Sequence, residues 1–68
     1  MQYYDKDDIV VRSRDGVSLE NYSPELGWVV YGTVAQHGEV LQPITEAEAV
    51  TQIAAFWEVS EAVMRSGL

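Results

Sequence analysis

His37 is the only histidine in the chain and the only side chain whose ordinary pKa lies near neutrality. It stands in Gln36-His37-Gly38-Glu39, which reads as a tight turn. Histidine catalysis needs a nucleophile or a second carboxylate held against the ring, and no motif supplies one. His37 is therefore expected at the surface. Asp5, Asp7 and Asp8 group three carboxylates, the ligand type that calcium prefers. A calcium loop, however, alternates its oxygens over about twelve residues, with glycine near the middle and glutamate at the end. Here Lys6 interrupts the run and Ile9 ends it, so a solvated acidic lead-in is expected. Glu58 and Glu61 have the one-turn spacing of di-metal bundles, but such sites draw on other helices and a Glu-x-x-His element. Both should lie on a wet helix face. Gly16, Gly27, Gly32 and Gly38 do not open a helix in any phosphate-cradling pattern. With no cysteine in the chain, disulfides and thiolate metal sites are excluded. These residues predict no cofactor, no metal and no enzyme.

The aromatic residues offer contact chemistry instead, since binding energy concentrates on them at interfaces. Phe56 and Trp57 share an apolar helical stripe and are expected in the core. Tyr22 and Tyr31 are more open, and with Val29 they are the candidate contact residues.

The elements that must position these groups change character near Pro43. Ile9-Val10-Val11-Arg12 is β-branched and follows a charged lead-in over residues 1–8, taken as an arm. Arg14-Asp15-Gly16 supplies a tight turn because glycine tolerates positive φ. Val17 to Tyr22 then alternates apolar and polar, the period of a half-buried strand. Ser23-Pro24-Glu25-Leu26-Gly27 is a loop. Trp28 to Val34 is the most strand-like segment, and Gly32 inside it predicts a bulge or a close approach by another group. A turn at Gln36-His37-Gly38 should return Glu39-Val40-Leu41 antiparallel to it. Hairpins thus occupy 9–42.

From Thr45 the pattern is helical. Thr45 and Glu48 form a capping box, Ile44 and Ala49 a hydrophobic staple, and Arg65 with Gly67 would close the helix within 45–66. Ala49, Val50, Ile53, Phe56, Trp57, Ser60 and Met64 fall on one stripe. Ser60 would either bond back to the preceding turn or admit another backbone. The expected fold is α+β: a small antiparallel β-sheet of three to four strands followed by one C-terminal α-helix packed on one face, in a single domain over 1–68. One helix covers one face only. The Trp28–Val34 strand nevertheless carries Trp28, Val30 and Val34 on one side and Val29 and Tyr31 on the other, where a solvated face would be polar.

Charge narrows the partners. The net charge is −7, and the eight carboxylates between Asp15 and Met64 meet no lysine or arginine. Nucleic acid requires cations to replace phosphate counterions, and an anionic membrane repels such a chain. Neither is an expected direct partner. The acidic amino-terminal residues lack a signal-peptide pattern, no apolar run spans a bilayer, and a cytoplasmic location is expected. A chain of this length buries only about 60% of its unfolded surface. Self-association through Val29 and Tyr31, with Tyr22 beside them, would extend that burial.

Ser18-Leu19, the Pro24 loop, Gly27-Trp28-Val29-Val30-Tyr31-Gly32 and a terminal helix bearing Trp57 resemble, in outline, MbtH-like proteins, the small partners of nonribosomal peptide synthetase adenylation domains. Glu20 stands where that family carries tryptophan, and its Trp-Thr-x-x-Arg-Pro ending is missing. The resemblance covers about a third of the chain and is not assigned as membership. The resulting expectation is a small acidic accessory protein of bacterial or phage type, acting on another protein, itself included, through a sheet face. The alternative is an acidic inhibitor that mimics nucleic acid in the basic cleft of a host enzyme.

Overall fold

A computed structural model describes residues 1–58, 60 and 62. The chain is α+β, an antiparallel sheet of five strands followed by a helix, one strand more than the upper expectation. The strands are β1 (Gln2–Lys6), β2 (Ile9–Ser13), β3 (Ser18–Ser23), β4 (Gly27–Thr33) and β5 (Leu41–Ile44). A short helix α1 (Val34–His37) and a 3₁₀ turn (Gly38–Val40) join β4 to β5, and helix α2 covers Glu46–Trp57.

The extra strand is the presumed arm. Gln2–Lys6 lies between β2 and β5, pairing Tyr4 with Val11 on one side and with Pro43 on the other. Two adjacent tyrosines favour a pleated, half-buried surface, and Tyr3 is buried there. Asp7 and Asp8, both at positive φ (49° and 70°), form the two-residue turn that pairs Lys6 with Ile9. That is the backbone of a type I′ hairpin, which aspartate tolerates through its short polar side chain. The Asp8 amide donates to the Asp5 carboxylate at 2.9 Å and closes the turn.

The β2–β3 hairpin forms as the sequence predicts, with Arg12 opposite Glu20. Asp15 Oδ1 accepts from the Val17 and Ser18 amides at 2.8 and 2.9 Å, and Gly16 takes φ +79°. Those two amide donors hold the Asp15 carboxyl below its ordinary value.

The expected return of residues 39–41 onto the preceding strand does not occur. Thr33 and Gln36 form a capping box, each side chain accepting from the other's amide, and start α1 where a turn was anticipated. The chain then crosses to the opposite edge, where β5 pairs with β1, giving the order β4-β3-β2-β1-β5. In a flat sheet the outer strands would stand about 19 Å apart. A four-residue helical turn and a three-residue 3₁₀ turn advance only about 12 Å. The extended links on either side of these turns, at about 3.3 Å per residue, bridge the remainder.

The two faces are packed differently. Tyr3 and Val10 meet Ala49, Val50 and Ile53 of α2, flanked by Tyr22, Trp28 and Ile44. On the other face, Val11 and Leu19 are fully buried. Leu19 pairs with Gly32 across the ladder. A Cβ on Gly32 would come 3.1 Å from Gln36 Oε1 and 3.2 Å from His37 Nε2, so α1 lies on the Leu19 side. The register also slips beside this pair: Leu19 faces Gly32 while Glu20 faces Val30, and Tyr31 is the extra, bulged residue. Both expectations for Gly32, a bulge next to it and a close approach, are met here. The second apolar face of β4 is thus partly covered by its own connector.

Helix α2 begins as predicted. Thr45 Oγ1 accepts from the Glu48 amide at 3.1 Å, and Glu48 Oε1 accepts from the Thr45 amide at 3.0 Å. These bonds hold the Glu48 carboxyl below its ordinary value. Thr45→Ala is expected to cost about 1 kcal/mol; an unchanged urea midpoint would show that the cap carries no stability. The helix ends earlier than expected. Glu58 takes a left-handed conformation (φ 57°, ψ 37°) and its amide bonds back to the Ala54 carbonyl, terminating α2 at Trp57. The predicted last-turn Arg65, the terminator Gly67 and the stripe residue Met64 lie outside the described residues, as does Glu61.

Candidate partner-binding groove

Twelve helical residues rise about 18 Å, close to the length of the strands beneath. The helix starts beside Tyr3, so its last turn reaches the opposite end of the sheet, at the β1–β2 turn. Ala49, Val50, Ile53 and Ala54 are buried, whereas Phe56 and Trp57 remain 60% and 42% exposed. The core placement expected for those two residues is therefore corrected: the stripe continues, but the sheet below it ends. Their rings form an edge-on pair with centroids 5.0 Å apart.

Between this pair and the strand ends lies a groove of about 260 Å³. Ile9, Val10, Tyr22, Ile53, Phe56 and Trp57 supply its apolar wall. Asp8 is its charged member, with Gln52 and Asn21 completing the lining. A larger hollow of about 530 Å³ lies beside the connector, among Lys6, Asp7, His37 and Glu39. It is open and polar, without an aromatic wall beyond the imidazole, and is the weaker candidate for holding an apolar group.

The three sequence candidates are not brought to one surface. Tyr22 pairs with Trp28, their rings 5.6 Å apart, on the helix side, where it lines the groove. Val29 pairs with Asn21 and points to the other face, half-buried. Tyr31 sits at the bulge, stacked on His37 at 5.5 Å and 42% exposed. Partial burial raises the Tyr31 phenol above its ordinary 10.0, so it is neutral at physiological pH. His37 is half-buried against that ring rather than free at the surface. Among the described residues, no cluster of three or more His, Cys, Asp or Glu side chains is placed to hold a metal.

Arg12 is the residue whose placement sequence reasoning missed most. It is 1% exposed, on the helix side of the sheet. Its Nε donates to Glu20 Oε1 at 2.7 Å, and its guanidinium carbon lies 4.0 Å from the Trp28 ring centroid. Arg14 Nε, from the exposed side, reaches the same oxygen at 3.2 Å. Burial pushes the Glu20 carboxyl up, but the two guanidinium partners outweigh it and hold it below its ordinary value. Arg12 Nη1 and Trp28 Nε1 are buried without a hydrogen-bond partner among the described residues. The ring face beneath the guanidinium stabilises the charge that Nη1 helps to carry. A symmetric four-residue turn would set Arg12 opposite Leu19, and only the observed register brings it opposite Glu20. This cluster braces the Tyr22–Trp28 pair, and through Tyr22 the groove.

No family model matches the chain, and no curated protein or solved structure matches it. Among the described residues, no helix is long and apolar enough to cross a membrane. What this protein does must be argued from its own surface.

Proposed function

We propose that this chain is a non-enzymatic interaction module, a small acidic accessory protein that holds a segment of another protein in the groove at the end of α2. The observation that carries this reading is the exposed Phe56–Trp57 pair standing over an apolar wall. A stable monomer normally buries two adjacent aromatic residues, and aromatic anchors dominate binding energy when a partner desolvates them. The wall is built on a capped helix and a braced strand pair, so little order has to be gained on binding.

The sheet face away from α2 is less suited, because α1 already covers it at Gly32. Mimicry of nucleic acid has less support for a related reason. Asp5, Asp15, Glu20 and Glu48 accept hydrogen bonds within the fold, so local turns, a helix cap and an ion pair account for their positions.

Selection of a random peptide library on the protein tests the reading. Recovered peptides should lose about tenfold or more in affinity on Phe56→Ala, the effect of removing a central aromatic anchor. Peptides that bind the Phe56→Ala and Trp57→Ala proteins as tightly as wild type would place the contact elsewhere.

A further inference from the structure

We infer that the segment this groove takes is cationic and amphipathic, seating one or two bulky aliphatic side chains and flanking them with lysine or arginine. The inference rests on the groove being the contact site. A volume of about 260 Å³ falls below the roughly 300–1,000 Å³ of typical small-molecule sites. It suits side chains of a peptide better than a whole cofactor. The wall offers no cation: Asp8 is the one charged lining residue. Asp7 precedes it in the same turn, and Glu58 follows Trp57 at the helix end; all three are exposed.

The apolar seat thus has the Asp8 carboxylate in its lining, with Asp7 next to it in the β1–β2 turn and Glu58 next to Trp57 at the α2 terminus. The Asp5 carboxylate is taken up by the Asp8 amide, and Asp8 lines the groove. A cationic flank finds opposite charge beside the groove, whereas an acidic flank meets repulsion from a chain whose net charge is −7. The same charge disfavours a second copy as occupant, because it would bring −7 against −7 across one contact.

Fluorescence anisotropy with the full chain and three labelled peptides decides the matter. The peptides share one leucine- and isoleucine-bearing core and carry lysine, glutamine or glutamate flanks. The lysine-flanked peptide should bind tightest, weaken as salt rises from 0.05 to 0.5 M, and lose about fivefold on combined Asp7→Asn and Asp8→Asn, the size of two exposed charge pairs. Asparagine tolerates the left-handed conformation of both positions, so the turn persists. Phe56→Ala should weaken all peptides that bind. Equal affinity for the lysine and glutamine peptides, with Phe56→Ala still damaging, would overturn the charge preference and leave the contact site standing. Failure of all three peptides, or binding indifferent to Phe56→Ala, would overturn the site itself. Sedimentation of a wild-type dimer that Phe56→Ser converts to a monomer would make a second copy the occupant and overturn the cationic partner.

Discussion

Glu20→Ala is expected to lower the stability of the domain by about 3 kcal/mol at neutral pH and 25 °C. The substitution strips the 2.7 Å partner from a guanidinium whose side chain is only 2% exposed. Removing one member of a buried ion pair costs about 3–5 kcal/mol, because the remaining charge stays buried without compensation. Total stability at about 0.05–0.15 kcal/mol per residue comes to only about 3–10 kcal/mol for 68 residues. Glu20 keeps some contact with solvent, which places the loss toward the lower figure, still a large share of the whole. Arg12→Met removes the buried charge while keeping a long side chain on the Trp28 ring. Its cost should be within about 1 kcal/mol, as when buried pairs are replaced by apolar groups. Glu20 would then retain Arg14, at 3.2 Å on the exposed side. Urea unfolding followed by circular dichroism separates the two variants. Equal midpoints would show that the buried charge does not govern stability.

The pH dependence has a definite sign. The Glu20 carboxyl lies below its ordinary 4.5 in the folded protein. Its ion pair therefore contributes fully above about pH 4.5, and that contribution is lost as pH falls through the folded value. Glu48 acts in the same direction from 4.5 downward and Asp15 from 3.8 downward. Wild type should lose midpoint between pH 7 and pH 3, and Glu20→Gln should lose less of it over the same interval. An identical slope in the two proteins would remove Glu20 from the acid response.

The second large effect concerns the face without α2. Leu19→Ala should destabilise the protein by about 2–5 kcal/mol, the range for a buried leucine whose neighbours collapse only in part. Ile53→Ala, on the helix side, should fall in the same range. Leu19 is 0% exposed and Ile53 3% exposed, though they belong to opposite sides of the sheet. Comparable losses would establish two packed layers, one under α2 and one under the connector. A loss below about 1 kcal/mol for Leu19→Ala, with Ile53→Ala severe, would mean that the connector covers its face without packing on it. Calorimetry or urea denaturation reads both.

Local chemistry carried the features that were legible in the sequence. The start of α2 could be read because Thr45 and Glu48 satisfy each other's amides within four residues. The β2–β3 hairpin could be read because Asp15 and Gly16 supply the turn between alternating segments. Thr33 and Gln36 carried the same kind of signal for α1, which the strand pattern of the preceding residues obscured. The candidate site was less legible. Tyr22, a candidate contact residue in the sequence, lines the groove, but Val29 and Tyr31 fall on other surfaces, and Phe56 and Trp57 are exposed where the helical period predicts core.

The sequence by itself determined the class of fold, the capped entry to α2, the hairpin after β2 and the net charge of −7. Each follows from residues within one turn or one period of one another, or from composition alone. Only the tertiary structure decided that Gln2–Lys6 is an inner strand, that β5 returns to β1, that Arg12 is buried on Trp28, and that the last turn of α2 overhangs the sheet. Those outcomes depend on which distant segments share a ladder and where a strand ends beneath a helix. A helical period shows that Phe56 and Trp57 lie on the apolar stripe, but only the length of the sheet beneath determines whether anything covers them.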